Sequence, residues 1–345
     1  MRNGGEEALV DIETENTEPS HSLPISVVIC TRNRAELLSR ALETVCDQDL
    51  DSCYYEVIVV DNGSADPTSE VVETLTREYP NVRYCREEKV GLSHSRNRGF
   101  REARGVYIGY LDDDAKVPSD WLSKAKRIIE RESPAAFGGP FYPFYDSPKP
   151  RWFDDKYGSR ESAECARFLK LGESLSGGNF FIRREILLQL GGFETDLGMT
   201  GKSIAYGEET HLQDRIFDTM PGRNIYYDPT LLIRHLVRAD KMSLIWRIMQ
   251  NFSRGRSETR MRRHSGTLDG GPLRAFKHFL IAALYLVFNL TYGLLTYDRK
   301  RFPFVQNYLY EAGLSPLEGI GRFYERACAL PRRRIGQRKE GNERG

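Results

Sequence analysis

The apolar positions of this chain fall into short continuous runs, each closed by polar residues, and between the runs apolar residues recur at helical spacing. Pro24-Ile25-Ser26-Val27-Val28-Ile29-Cys30 is β-rich and ends in Thr31-Arg32-Asn33-Arg34, after which Leu37, Leu38, Ala41, Leu42 and Val45 predict a helix over 35–45. Tyr55 to Val60 predicts a second strand ending in Asp61-Asn62-Gly63-Ser64, followed by a helix over 68–79 and a strand over 82–85. Arg96 to Ala103 reads as part of a further helix, and Val106 to Leu111 as a fourth strand. Alternating strands and helices of this kind imply a mostly parallel sheet covered on both faces.

The fourth run ends in Asp112-Asp113-Asp114. Two charges about 4 Å apart repel by about 4 kcal/mol at an effective dielectric of about 20, so this cluster calls for a positive partner. A divalent cation with hard oxygen ligands, Mg²⁺ or Mn²⁺, would relieve it, and a solvated acidic turn is the competing reading. In parallel sheets ligands bind beyond the carboxyl ends of the strands. Thr31, Asp61 and Asp112 to Asp114 all stand at such ends, which points to a nucleotide or phosphorylated ligand held with a metal.

The later half adds Ser176-Gly177-Gly178-Asn179-Phe180-Phe181-Ile182-Arg183-Arg184-Glu185, a glycine pair leading into an aromatic strand and a helix. Paired glycines permit close backbone approach to a ligand or simply make a tight turn. Gly207-Glu208-Glu209-Thr210 opens another helix with two carboxylates at its positive end, either as ordinary helix-start acids or as a general base. Short strands are expected over 225–228 and 231–235, and His235 is open to two readings, metal ligand or core histidine.

These five stretches, in this order, resemble the family-2 glycosyltransferases of GT-A fold over roughly residues 24 to 240. The resemblance implies a Rossmann-like α/β fold with a mostly parallel sheet and a C-terminal helical extension. It implies inverting transfer of a sugar from a nucleotide diphosphate sugar, UDP-linked by preference, to an acceptor hydroxyl, in cell-surface polysaccharide or glycolipid synthesis. By position, Thr31, Arg32, Asp61, Arg96, Asp112, Asp113, Gly178 and Asn179 would bind the donor, with Asp61 pairing with the base. Asp112, Asp114 and His235 would hold Mn²⁺ or Mg²⁺. Glu209 falls where the family carries its catalytic aspartate, and Glu208 beside it is the other candidate base.

Composition sets the outer limits. The net charge of +1 hides an uneven distribution: residues 1 to 20 carry six acids against Arg2, and from Arg299 onward there are eleven bases and five acids. We expect a disordered acidic tail over 1–22, a catalytic domain over 23–240, a helical extension over 241–330 and a basic tail over 331–345. The six cysteines show no metal spacing and read as reduced thiols, and Met1 is followed by acids, so a cytoplasmic location at the membrane face is expected. Arg234 to Arg263 holds nine bases and two acids, with Arg254-Gly255-Arg256-Ser257 either contacting a phosphate or forming a solvated face. Phe279 to Tyr297 has no charged residue and predicts an interfacial or re-entrant helix against the membrane, with a dimerisation helix as the alternative. A glycan or lipid-linked acceptor follows from that reading. A phosphohydrolase is disfavoured because Lys116 breaks its motif, a nucleic-acid enzyme because no recognition module is present, and a non-catalytic nucleotide-sugar or glycan binder is the remaining alternative.

Overall fold

The computed structural model describes residues 23–201, 204–220, 222, 224–268 and 270–329. The expected tails over 1–22 and 331–345 lie outside the described residues. The first half alternates as the hydrophobic pattern requires: β1 (Ile25–Thr31), α1 (Ala35–Cys46), β2 (Tyr55–Asp61), α2 (Thr68–Glu78), β3 (Val82–Arg86), α3 (Leu92–Glu102) and β4 (Tyr107–Asp112). There follow β5 (Ala115–Lys116), α4 (Trp121–Glu132), β6 (Ala136–Gly138), β7 (Phe141–Phe144), β8 (Arg167–Phe168), β9 (Asn179–Arg183), α5 (Arg184–Leu190), α6 (Glu208–Thr219), β10 (Ile225–Tyr227) and β11 (Ile233–Leu236). The C-terminal part is helical: α7 (Leu244–His264), α8 (Pro272–Phe288), α9 (Leu294–Thr296), α10 (Val305–Tyr308) and α11 (Leu317–Ala329).

One sheet runs β3-β2-β1-β4-β9-β6-β10-β8, and a smaller one runs β5-β11-β7. The first four strands are parallel in the large sheet, so Thr31, Asp61 and Asp112 emerge at one edge, with Thr31 in register with Asp61 and Cys30 with Asp112. β9 is antiparallel to both β4 and β6, which returns the chain to that same edge at Asn179. Alternate side chains of β2 show why the strands are fully apolar: Val57 and Val59 join the layer under α1 and α4, while Ile58 and Val60 join the layer under α3, α5 and α6. Each such side chain, withdrawn fully from water, stabilises the fold by about 1.5–3 kcal/mol. Phe137 and Phe181 stack at 4.7 Å in the first layer.

The helical extension packs differently. α7 buries Asn251, Ser253, Gly255, Ser257 and Thr259 rather than a leucine stripe. A Cβ on Gly255 would stand 1.9 Å from the Glu318 carbonyl, so glycine is what lets α7 and α11 approach this closely. Within the basic run, Arg256 and Arg260 pair with Glu325 of α11, and Arg262 pairs with Glu258, which also holds Arg322 of α11. The apolar helix is longer than expected, Pro272 to Thr296 with a π-helical turn at Asn289–Gly293, and only 11% of its most apolar window is buried. Leu273, Leu284, Tyr285, Val287, Phe288 and Leu295 are exposed. All six cysteines are free thiols.

Candidate active site

Asp112 ends β4, and the turn after it puts Asp113 and Asp114 to different uses. Asp113 is buried and turned inward, accepting from Thr31 Oγ1 at 2.8 Å and from Arg34 Nη1 at 2.8 Å. Burial, opposed by Arg34 and reinforced by Asp114, raises its pKa to about 6. Asp113 thereby clamps the β1 loop to β4. Arg34 reaches on to Asp114, 3.5 Å away, a role the sequence reading did not assign although Arg34 closes the Thr31-Arg32-Asn33-Arg34 motif.

His235 arrives from 120 residues downstream in sequence because β11 pairs with β5, setting His235 opposite Ala115, while Leu236 N donates to the Asp114 carbonyl at 3.0 Å. Its Nε2 stands 3.2 Å from Asp114 Oδ1 and 3.4 Å from Asp112 Oδ2. Burial opposes the charged imidazolium, but the hydrogen bond to Asp112 and the charges of Asp114 and Asp112 raise the His235 pKa. Burial likewise disfavours the Asp112 carboxylate, yet His235 and Arg96 hold its pKa down to about 2. One ligand atom from each of Asp112, Asp114 and His235 lies within 4.8 Å of the others. Cis ligands of an octahedral Mg²⁺-sized ion at about 2.1 Å stand about 3 Å apart, so two carboxylate oxygens and one imidazole nitrogen at these separations fit Mn²⁺ or Mg²⁺.

The glycine pair packs against this cluster. A Cβ on Gly178 would lie 2.2 Å from Asp112 Oδ2, and one on Gly177 would lie 2.7 Å from Arg96 Nη2. The close approach expected at this pair is therefore to the site's own side chains. Asn179, expected beside the donor, is fully buried and has its amide occupied: Trp121 Nε1 donates to its Oδ1 at 3.2 Å, and its Nδ2 donates to the Leu231 carbonyl at 2.6 Å and the Pro140 carbonyl at 3.3 Å. It fastens β9 to the loop that delivers His235.

Arg96 joins the two acidic groups. Its guanidinium is buried, with Nη1 2.9 Å from Glu208 Oε1 and Nη2 4.0 Å from Asp112 Oδ1. Burial works against its charge, but Glu208, Glu209 and Asp112 outweigh that and raise its pKa. α6 starts at Glu208 and is tied to the glycine loop through Gln213, whose Oε1 accepts from Leu175 N at 2.7 Å. Burial and the adjacent Glu209 carboxylate push the Glu208 carboxyl well above the usual carboxylate range. The Oε2 atoms of Glu208 and Glu209 are buried without a hydrogen-bond partner. Glu208 is thus engaged by Arg96, while Glu209 is only half-buried.

At the far end of the cleft Asp61 is buried and accepts from Ser64 N at 2.8 Å and Tyr84 OH at 2.7 Å, with Arg86 at 3.5 Å. Arg32 points to the turn at Gly201, where a Cβ would meet its Nη1 at 2.5 Å. Asn33, with φ of 53°, accepts from Ala65 N through its side chain and donates its own N–H to Ser64 Oγ, so the loops after β1 and β2 are locked together.

A sheet of this order with acidic, glycine-rich and basic residues meeting at its carboxyl edge is the GT-A architecture of nucleotide-sugar transferases. A mannosyltransferase of Pyrobaculum calidifontis, solved with GDP-Man and Mn²⁺, has this fold: TM-score 0.54 at 19% identity, covering 90% of this chain and 77% of that one. Residues 26–191 match the model of glycosyl transferase family 2. A glucosyl-dolichyl phosphate glucuronosyltransferase of Haloferax volcanii is 25% identical over 242 residues, 68% of this chain and 76% of the relative. The succinoglycan biosynthesis protein ExoM of Rhizobium meliloti is 27% identical over 249 residues, 70% of this chain and 76% of the relative.

Proposed function

We propose that this glycosyltransferase moves a sugar, with inversion, from a nucleotide diphosphate donor to the hydroxyl of a glycan or lipid-linked acceptor in polysaccharide or glycolipid synthesis. The observation that carries the reading is Arg96, which stands between Asp112 of the metal-ligand group and Glu208 at the start of α6 and so brings the two acidic groups together. A UDP-sugar is the favoured donor, with GDP-sugars the first alternative because the Pyrobaculum calidifontis enzyme was solved with GDP-Man.

In this mechanism Asp61, Thr31 and Arg32 line the nucleoside end, and Gly178 stands against Asp112 beside the transferred sugar. Asp112, Asp114 and His235 would hold Mn²⁺ or Mg²⁺, which would supply Lewis-acid neutralisation of the charge on a leaving diphosphate. His235 would serve as a ligand in its neutral imidazole form. Glu209 accepts the proton of the acceptor hydroxyl as its oxygen bonds to the anomeric carbon and the bond from that carbon to the diphosphate breaks. Glu208, bonded to Arg96, holds the start of α6 in place beside Glu209. The exposed apolar helix α8 lays the enzyme on the cytoplasmic face of a membrane.

The test is a thermal-shift screen of UDP- and GDP-sugars with and without Mn²⁺, followed by donor hydrolysis and transfer assays. Metal-dependent stabilisation by one donor class with turnover is expected. Donor binding without turnover in any acceptor screen would instead make the protein a binder.

A further inference from the structure

The two carboxylates of the metal-ligand group divide their oxygens in the same way. Asp114 turns Oδ1 toward His235 Nε2 at 3.2 Å and Oδ2 toward Arg34 Nη1 at 3.5 Å. Asp112 turns Oδ2 toward His235 Nε2 at 3.4 Å and Oδ1 toward Arg96 Nη2 at 4.0 Å. One oxygen of each carboxylate thus faces the imidazole nitrogen while an arginine faces the other. Arg96 is also bonded to Glu208, but among the described residues the only ion-pair partners of Arg34 are Asp113 and Asp114. Asp114, which is buried, likewise has only Arg34 and His235.

The loop that carries Arg34 is fixed on both sides of it. The N–H of Asn33 donates to Ser64 Oγ at 2.9 Å and its Oδ1 accepts from Ala65 N at 2.7 Å, while Ala35 N donates to Asp66 Oδ2 at 2.9 Å. The guanidinium itself is anchored on Asp113 Oδ1 at 2.8 Å, and Thr31 Oγ1 holds the other oxygen of Asp113 at 2.8 Å. Burial works against the charge of Arg34, but Asp113, Asp114 and Asp112 outweigh it and raise its pKa. A fixed cation therefore stands behind Asp114. A ligand carboxylate whose second oxygen is held in this way keeps its orientation as a cation enters, and removing such a support costs metal affinity about 10- to 100-fold.

We propose that Arg34 is a positioning residue of the metal group, holding Asp114 Oδ2 so that Oδ1 alone is presented to Mn²⁺ or Mg²⁺. Asp113 serves as the anchor that keeps the guanidinium in place. The proposal rests on the metal-binding part of the transferase reading and not on sugar transfer itself.

The test is Mn²⁺ binding by the full chain without nucleotide, followed by the electron paramagnetic resonance signal of free Mn²⁺ and by calorimetry. Loss of a positive charge beside the ligands would by itself tighten Mn²⁺, so weaker binding by Arg34→Gln reports lost orientation. A fall of about tenfold or more is expected, with Arg34→Lys recovering part of it. Asp113→Asn keeps an acceptor for Arg34 and leaves Asp114 its partner, so it should lose less than Arg34→Gln, whereas in a purely structural clamp the two would lose alike. Arg34→Lys is the variant to read if Arg34→Gln does not fold, and it should still bind Mn²⁺ more weakly than the unaltered protein. Unchanged or tighter Mn²⁺ binding by the Arg34 variants, or losses no greater than that of Asp113→Asn, would overturn the proposal. Absence of Mn²⁺ binding by the unaltered protein would overturn the metal group and this role with it. Metal binding without sugar transfer would strike the transferase reading and leave the role of Arg34 standing.

Discussion

Arg96 Nη1 lies 2.9 Å from Glu208 Oε1, with both side chains withdrawn from solvent and 112 residues apart in sequence. This pair engages Glu208 and not its neighbour Glu209, the basis for proposing Glu209 as the base. It also couples the start of α6 to β4, because the other amino group of Arg96 faces Asp112. Breaking one partner of a buried pair leaves the other uncompensated, so Arg96→Met should destabilise the protein by about 3 kcal/mol or more. The double change Arg96→Met with Glu208→Met should recover most of that loss, measured by urea unfolding.

Glu209→Gln should lower the transfer rate by about 10²- to 10⁴-fold, the usual contribution of a positioned base, with little change in Tm. Glu208→Gln preserves the shape and a neutral partner for Arg96, and should lose markedly less. Equal losses in the two variants, followed by kcat for transfer, would remove the distinction drawn between them.

The proton retained by the glutamate pair makes stability depend on pH in a defined direction. A carboxyl whose pKa is raised in the folded state contributes stability that is fully present below its ordinary value and is lost as pH rises through the raised one. The unaltered protein should therefore lose stability relative to Glu208→Gln from the acidic range upward, by at most about 1.4 kcal/mol per pH unit. Parallel denaturation curves at each pH would contradict this.

Gly178→Ala tests the metal-ligand group without touching a ligand. The added methyl would sit 2.2 Å from Asp112 Oδ2 and must push that carboxylate aside. Mn²⁺ affinity should fall by about 10- to 100-fold, as for other displaced supports of metal ligands, while far-UV circular dichroism is retained. Asp114→Asn and His235→Ala should lose at least as much, and chelator should abolish transfer in the unaltered protein.

Leu284 is 70% exposed and Leu295 86% exposed on the apolar helix. Replacing both with aspartate should sharply reduce recovery of the protein with phospholipid vesicles while leaving its Tm within about 1 kcal/mol equivalent of the original. Unchanged recovery would detach α8 from any membrane role.

The elements of the first half were legible because each strand is a continuous apolar run buried on both faces and each helix carries its own periodicity. The observed β1, β2, β3 and β4 fall within one residue of the expected ranges at nearly every end. The region between Ala115 and Gly178 was not legible. Its strands β5 to β8 span two to four residues, too short for any period, and α4 passed unread.

The candidate site divides along the same line. Residue types and their order placed acids at the carboxyl ends of parallel strands, and that much follows from local hydrophobicity plus the geometry of strand-helix-strand units. Which acid faces which partner did not follow. Asp113 turns to Thr31 and Arg34 while Asp112 and Asp114 meet His235, because β5 and β11 happen to pair in that register. Asn179 is drawn into the floor and Gly178 left at the cluster for the same reason. Sequence sets what each short segment prefers; the assignment of charge to charge across more than a hundred residues is fixed only when the sheet closes and burial makes every unpaired carboxylate costly.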